Sequence, residues 1–150
     1  MLKYFYELEY VLFSRFDETD QENVEDRHFV GYFSSTKKVN EAIKSCLGYD
    51  DIIEKNFQIK KYKINIEKPI SKLYSLYHEY AIITEDNDYI DYSYSFPPKA
   101  TKKEIEELYN LMKKKRKYKK QEGRDYTIYP PDGFLISIIE IDQIFFNGLY

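Results

Sequence analysis

Two segments that begin with Thr-Lys-Lys carry the periodicity of an α-helix. The longer runs from Thr101 to Lys120 and the shorter from Thr36 to Leu47. In the longer one, Ile105, Leu108 and Met112 recur at three- and four-residue spacing, which predicts one apolar face on a charged helix. Such a face is stable only when it packs against another element. The strands around each segment therefore decide the fold.

Both segments also carry signals for their ends. Thr101 and Glu104 form the S/T-x-x-E pattern, in which each side chain can satisfy a backbone N–H at the helix start. Thr36 is the predicted N-cap of the shorter helix, and Gly48 is its natural terminator.

Runs of apolar and alternating residues predict three strands around each helix. They lie at residues 4–13, 28–33, 57–66, 73–83, 90–96 and 134–141. The last run is apolar at consecutive positions, which predicts a central strand covered on both faces. The sequence thus predicts an α+β fold of two strand-strand-helix-strand repeats, 1–68 and 69–150, packed as one globular domain. Each repeat has a mainly antiparallel sheet with a helix on one face.

Chain connectivity restricts the order of these strands. A hairpin makes the first two strands antiparallel, and the helix returns the chain so that the third runs parallel to the second. A right-handed crossover then places the third strand beside the first, giving the order 2-1-3.

Composition narrows the class of protein. The net charge of −3 disfavours a general nucleic-acid binder, and a single cysteine excludes an internal disulfide. We find no signal-peptide pattern and no long apolar run, so we expect a cytoplasmic protein without a membrane span. The excess of Lys over Arg and the abundance of Ile, Asn and Tyr are typical of an AT-rich bacterial coding sequence.

No familiar catalytic or cofactor motif occurs in the chain. Cys46 lies on the apolar stripe of the shorter helix, which favours an inert core thiol over a nucleophile. His78 is expected to be partly exposed on a strand, and His78 with nearby carboxylates is the remaining hydrolase hypothesis. With two histidines and one cysteine, a Cys/His zinc site cannot be assembled. We expect no enzyme activity, no metal and no cofactor.

Acidic segments and tyrosines indicate a protein partner. An acidic segment, treated as a loop, joins the first two strands of each repeat, and its charge would speed encounter with a basic partner. Tyrosine is enriched at interfaces, although half-buried sheet tyrosines and codon bias explain the surplus equally well. The predicted partner-binding residues are Asp17, Asp20, Glu22, Asp26, Asp86, Asp88, Tyr77 and Tyr89.

The basic run from Lys113 to Lys120 supports an alternative function. A solvated helix end is its simplest interpretation, but an interleaved tyrosine could stack on a base. The residues of this nucleic-acid alternative are Lys115, Arg116, Tyr118 and Lys119.

Residues 28–64 resemble a small bacterial domain family of unknown function. The resemblance rests on the strand end Gly31 to Ser35, the helix residues 40–43, the Gly48-Tyr49 loop and the Phe-x-Ile-x-x-Tyr strand from Phe57 to Tyr62. These motifs are structural, so the resemblance implies a fold and no activity.

The leading hypothesis is a non-enzymatic module that binds another protein. Its most concrete form is an immunity or antitoxin-type inhibitor with a basic partner.

Overall fold

A computed structural model describes residues 1–15, 23–84, 89–115, 126–129, 134–146 and 148. Two antiparallel sheets and two helices make up the described chain, so the predicted α+β class is confirmed. The elements in order are β1 (Leu2–Arg15), β2 (Asn23–Phe33), α1 (Thr36–Cys46), a 3₁₀ turn (Glu54–Asn56), β3 (Phe57–Asn65), β4 (Lys72–Thr84), β5 (Tyr89–Ser95), α2 (Lys102–Lys115), β6 (Tyr126–Tyr129) and β7 (Phe134–Glu140).

The chain divides into two compact units. The first consists of residues 1–71 with 140–150, and the second of residues 72–139. The boundary lies close to the predicted junction between residues 68 and 69, but the C-terminal residues belong with the first unit. That the two units are repeats of one another stays a prediction.

The first unit contains a three-stranded sheet in the order β2-β1-β3, with β1 antiparallel to both neighbours. This is the order 2-1-3 predicted from chain connectivity. One face of the sheet packs against α1, where the core holds Leu8, Tyr10, Val30, Phe33, Val39, Ala42, Cys46 and Phe146. Alternation along β1 therefore directs its even-numbered side chains from Tyr6 to Leu12 toward the helix and its odd-numbered ones to the other face.

The outer edge of β2 is covered by the C-terminal part of the chain. Asp142 N donates to Tyr32 O and Phe145 N donates to Val30 O, both at 2.8 Å. The Asp142 carboxylate also accepts from the backbone N–H and the hydroxyl of Ser34, at 2.9 and 2.8 Å. Four hydrogen-bonding groups of β2 and its exit thus find partners in a segment remote in sequence.

Gly31 permits this close approach. A Cβ atom at Gly31 would lie 2.3 Å from Gln143 O, far inside van der Waals contact. The Gly-aromatic-Ser-Ser element predicted as a strand end therefore serves a packing purpose. The absence of a side chain at Gly31 leaves room for the C-terminal segment, and Ser34 forms hydrogen bonds with Asp142 of that segment.

The second unit is built on β4. Strands β5, β6 and β7 all pair with β4, in the order β5-β4-β6 with β7 alongside. Helix α2 buries Ile105 against Tyr74 and Leu76. At its start, Thr101 Oγ1 accepts from Glu104 N at 3.2 Å and donates to the Glu104 carboxylate at 2.9 Å. Thr101 is thus confirmed as the capping residue of this helix, whereas the Glu104 carboxylate binds the Thr101 hydroxyl instead of the predicted backbone N–H.

Several expectations about the elements are wrong. The N-cap of α1 is Ser35 rather than Thr36, because the Ser35 hydroxyl accepts from Lys38 N at 3.2 Å. Strand β2 begins at Asn23, so the end of the acidic segment is strand rather than loop. Strand β6 was not predicted, since its four residues carry too short a pattern.

Strand β7 also differs from its prediction as a strand covered on both faces. Leu135 is 59% exposed and Ile138 is 60% exposed. Among the described residues β7 pairs with β4 alone, and Phe134 and Ile136 are its only residues in the hydrophobic cluster around Ile105 of α2. A run with apolar residues on both faces therefore does not guarantee a covered strand.

Within the described residues, no helix is both long enough and apolar enough to cross a bilayer.

Candidate functional site

The most distinctive surface of the first unit is the outer edge of β3. In the described part of the chain β3 pairs with β1 alone. The opposite edge of the same sheet is occupied by the C-terminal segment. A strand with one unpaired edge presents a row of backbone donors and acceptors that another extended chain can use.

The beginning of β3 is held in place by Tyr10. Its hydroxyl accepts hydrogen bonds from Ile53 N at 3.0 Å and from Asn56 Nδ2 at 3.4 Å. The same hydroxyl donates to Asp51 O at 3.4 Å. Asp51 has a φ of 64°, in the left-handed region where a non-glycine residue needs such support. One buried phenol on β1 therefore fixes the connection that leads from α1 into β3.

One face of β3 is tied to two carboxylates of β1. Lys60 Nζ lies 3.3 Å from Glu9 Oε1 and 3.9 Å from Glu7 Oε2. The Tyr62 hydroxyl donates to Glu7 Oε2 at 3.0 Å. From β2, Arg27 completes the group with a 2.7 Å ion pair to Glu9. These five side chains, the carboxylate cluster, link all three strands of the sheet.

Burial governs the electrostatics of the carboxylate cluster. Glu7 is only 4% exposed. Burial, and then the neighbouring charge of Glu9, raise the pKa of Glu7 above its ordinary value of 4.5, against the opposing effects of Tyr62, Lys60 and Arg27. Burial and the Glu7 carboxylate also raise the pKa of Tyr62. Tyr62 therefore stays a protonated donor at neutral pH.

The other face of β3 is exposed from Ile59 onward. Ile59 is 52% exposed, and Tyr4 across the ladder on β1 is 43% exposed. Lys61 Nζ lies 4.0 Å from the centroid of the Tyr4 ring, a cation–π contact, and Lys63 Nζ lies 5.9 Å from it. We call the set Leu2, Tyr4, Ile59, Lys61 and Lys63 the Tyr4 patch.

The register of the ladder explains why these groups meet. Tyr4 pairs with Lys63, Tyr6 with Lys61, and Leu8 with Ile59, so their side chains share a face. The core under α1 takes up Leu8 on this face, whereas Tyr4 and Ile59 remain exposed. The arrangement presents an apolar and basic surface beside an unpaired backbone edge, a combination suited to binding an extended chain.

Most of the predicted site residues lie outside the described residues. These are Asp17, Asp20, Glu22, Asp86, Asp88, Arg116, Tyr118 and Lys119.

The four remaining predicted residues lie in four different helices and strands. Asp26 lies in β2 opposite Leu12, not in a loop. Tyr77 is half-buried in β4 and pairs with Ser95, Tyr89 is the first residue of β5, and Lys115 is the last residue of α2. Their roles in binding stay predictions.

The catalytic candidates are both buried. Cys46 lies in the core under α1 as expected, and burial raises the pKa of its thiol, which lowers its reactivity. His78, predicted to be partly exposed, is fully buried, and its ring lies 4.4 Å from that of Phe134. His78 shares a strand face with Tyr74 and Leu76, which pack against α2. Among the described residues no group of three His, Cys, Asp or Glu side chains is placed to hold a metal ion.

Neither the carboxylate cluster nor the Tyr4 patch was predicted from the sequence. Two signals were available. Glu7 and Glu9 alternate on a strand face that also carries Phe5 and Val11, and β3 contains three lysines among apolar residues. These signals could be assigned to a surface only once it was known which strand is outermost, and the sequence pattern alone does not show that.

Comparisons with protein families, with curated proteins and with solved structures give no match for this chain. The resemblance of residues 28–64 to a small bacterial family therefore stays a prediction.

Proposed function

We propose that this chain is a non-enzymatic module that binds another protein, with an immunity or antitoxin-type inhibitor as its most concrete form. The observation that supports the proposal is the outer edge of β3, which is unpaired in the described chain and lies next to the exposed Tyr4 patch. Exposed apolar groups beside an open strand edge are features that proteins use for recognition and otherwise suppress.

The rigidity of the same strand adds support. Lys60 and Tyr62 are anchored to Glu7 and Glu9, and Tyr10 fixes the chain that enters β3. A binding strand held in one conformation loses little conformational entropy when a partner docks. The carboxylate cluster thus acts as the support of a recognition edge.

The acidic segments are proposed to assist the first encounter. Their charge acts at long range and is screened by salt, so it affects the association rate more than the lifetime of a complex. Neutralising Asp17, Asp20 and Glu22 as Asn, Asn and Gln is expected to slow partner capture at low ionic strength. The loss should disappear at high salt.

The test is a pull-down with the tagged full-length chain from cells that express it naturally, after nuclease treatment, followed by mass spectrometry and reconstitution of the recovered pair. We expect one protein to be retained in a defined stoichiometry and to bind the purified chain. Retention of no protein above a tag-only control would contradict the proposal.

The alternative is a nucleic-acid-associated protein that uses the basic end of α2. Lys113 projects there with its Nζ 5.7 Å from the ring centroid of Tyr109. Salt-sensitive binding of DNA or RNA, abolished when Lys115, Arg116 and Lys119 are changed to Gln, would favour this alternative. An unchanged fold and unchanged protein binding in the same variant would favour a solvated helix end.

A further inference from the structure

We propose that the outer edge of β3 binds an acidic, extended segment of a partner protein whose remaining surface is basic, and that this segment adds to the sheet as a fourth strand. The inference rests on the proposed function and names the surface and the partner chemistry. Its basis is threefold: among the described residues the edge is unpaired, an apolar side chain lies beside it, and two of its lysines have no acidic partner.

The geometry of β3 suits strand addition. Its nine residues, Phe57–Asn65, pair along their full length with β1, and no register shift interrupts the ladder. An added strand gains main-chain hydrogen bonds at the edge and places alternate side chains on the two faces of the sheet. On one face these side chains would adjoin Ile59, Lys61 and Lys63.

The charge of the edge specifies an acidic segment. Lys60 is already paired with Glu7 and Glu9 on one face. Among the side chains that the structure describes, Lys61 and Lys63 form cation–π contacts with Tyr4 but no ion pair. Opposite charges on directly neighbouring strands stabilise a sheet, whereas like charges destabilise it. Carboxylates on the incoming strand would satisfy both lysines.

The same lysines argue against a second copy of this chain as the occupant. Pairing β3 with β3 would bring two lysine-rich strands together, and lysine on an edge strand is a known means of preventing such association. A nucleic acid would use the lysines and Tyr4 but not the backbone groups of the edge. The open edge therefore favours a peptide segment.

Model peptides can test the edge directly. The probe is a fluorescein-labelled peptide as long as β3, alternating glutamate with valine, titrated against the full chain and followed by fluorescence anisotropy. Two control peptides replace glutamate with lysine, or keep glutamate but carry N-methyl groups on alternate backbone nitrogens. We expect the glutamate peptide to bind and both controls to bind at least about tenfold more weakly, since one reverses the charge and the other blocks strand pairing.

Matched protein variants locate the site. Lys61→Glu with Lys63→Glu should weaken binding of the glutamate peptide about tenfold or more. The control Lys68→Glu with Lys103→Glu changes net charge equally at exposed positions outside the Tyr4 patch, and it should bind like the natural protein. Circular dichroism checks that each variant keeps its fold.

Several results would overturn the inference. They are no binding of the glutamate peptide, equal binding of the N-methylated peptide, equal loss in the two double variants, or β3-dependent dimerisation of the chain in light scattering. Competition of single-stranded RNA for the same lysines would also overturn it, by assigning the surface to nucleic acid.

Retention of the natural partner by these variants distinguishes failure of this inference from failure of the proposed function. If the Lys61→Glu, Lys63→Glu variant retains the partner as well as the natural protein does, the β3 edge is not the site, but the chain is still a binding module. If neither retains a protein, the proposed function itself fails. Loss of the partner in this variant but not in the control variant supports both.

Discussion

Replacing Gly31 with alanine tests the central packing feature of the first unit. The added Cβ would lie 2.3 Å from Gln143 O, where ordinary contact begins near 3.4 Å. It would also lie 3.1 and 3.2 Å from two atoms of the Phe33 ring. Because the closest atom belongs to the backbone, no side-chain rotation relieves the contact. Either β2 or the C-terminal segment must move by about 1 Å.

The cost of that movement follows from the contacts that hold the segment. If the segment shifts but stays docked, the penalty is that of an overpacked core, about 1–3 kcal/mol. If the segment detaches, the hydrogen bonds of Asp142 and Phe145 to β2 and of Ser34 to Asp142 are lost, at about 1 kcal/mol each. We therefore expect Gly31→Ala to lower the free energy of unfolding by about 2–4 kcal/mol.

Urea denaturation followed by circular dichroism measures this loss. Gly48→Ala is a matched control, because its Cβ would meet only Ser45 O, at 3.4 Å, and its φ is not positive. The control should change stability by less than about 1 kcal/mol. Hydrogen exchange at residues 141–146 should rise in the Gly31 variant alone if the segment is displaced.

A double-mutant cycle with Asp142→Ala tests the assigned cause. If Gly31→Ala acts by displacing the segment, much of the Asp142 contribution is already lost, and the two effects are less than additive. Gly31→Ala as stable as Gly48→Ala, or strictly additive effects in the cycle, would refute the packing argument.

Two further predictions concern the supports of β3. A carboxyl whose pKa is raised on folding holds its proton more tightly in the folded protein. The contribution of Glu7 to the free energy of unfolding is therefore largest below pH 4.5, and it is lost as the pH rises through the pKa of Glu7 in the folded protein. The stability of the natural protein relative to Glu7→Gln should thus fall from acid to neutral pH in parallel urea titrations, and a constant or rising difference would contradict the raised pKa. Tyr10→Phe leaves Ile53 N without its acceptor and should lower the free energy of unfolding by about 1–3 kcal/mol, with faster hydrogen exchange at residues 51–56. Unchanged exchange there would show that the hydroxyl does not hold the connection.

Local sequence patterns predicted most of the elements and the class of the fold. Alternation and helical spacing identified both helices and six of the seven strands, because side-chain direction follows directly from backbone geometry. The pair Thr101 and Glu104 marked a helix start because capping is satisfied within four neighbouring residues. Chain connectivity then gave the order of the first sheet, since crossover handedness leaves few choices.

The candidate site was beyond such local reasoning. Glu7, Glu9, Lys60 and Tyr62 were visible as residue types, but their contacts join strands that are far apart in sequence. His78 lies on the face that packs against α2, a placement that two-residue alternation by itself does not assign to core or solvent.

Most of the elements, the capping of α2 by Thr101 and the α+β class could be predicted from the sequence, because these depend on neighbours within a few residues. Only the tertiary structure decided which edge of the first sheet is covered. Gly31 leaves room for Gln143 O, and Asp142 closes on Ser34, so the C-terminal segment occupies β2 and leaves β3 as the outer strand. Edge exposure depends on where remote segments pack, and no local pattern encodes it.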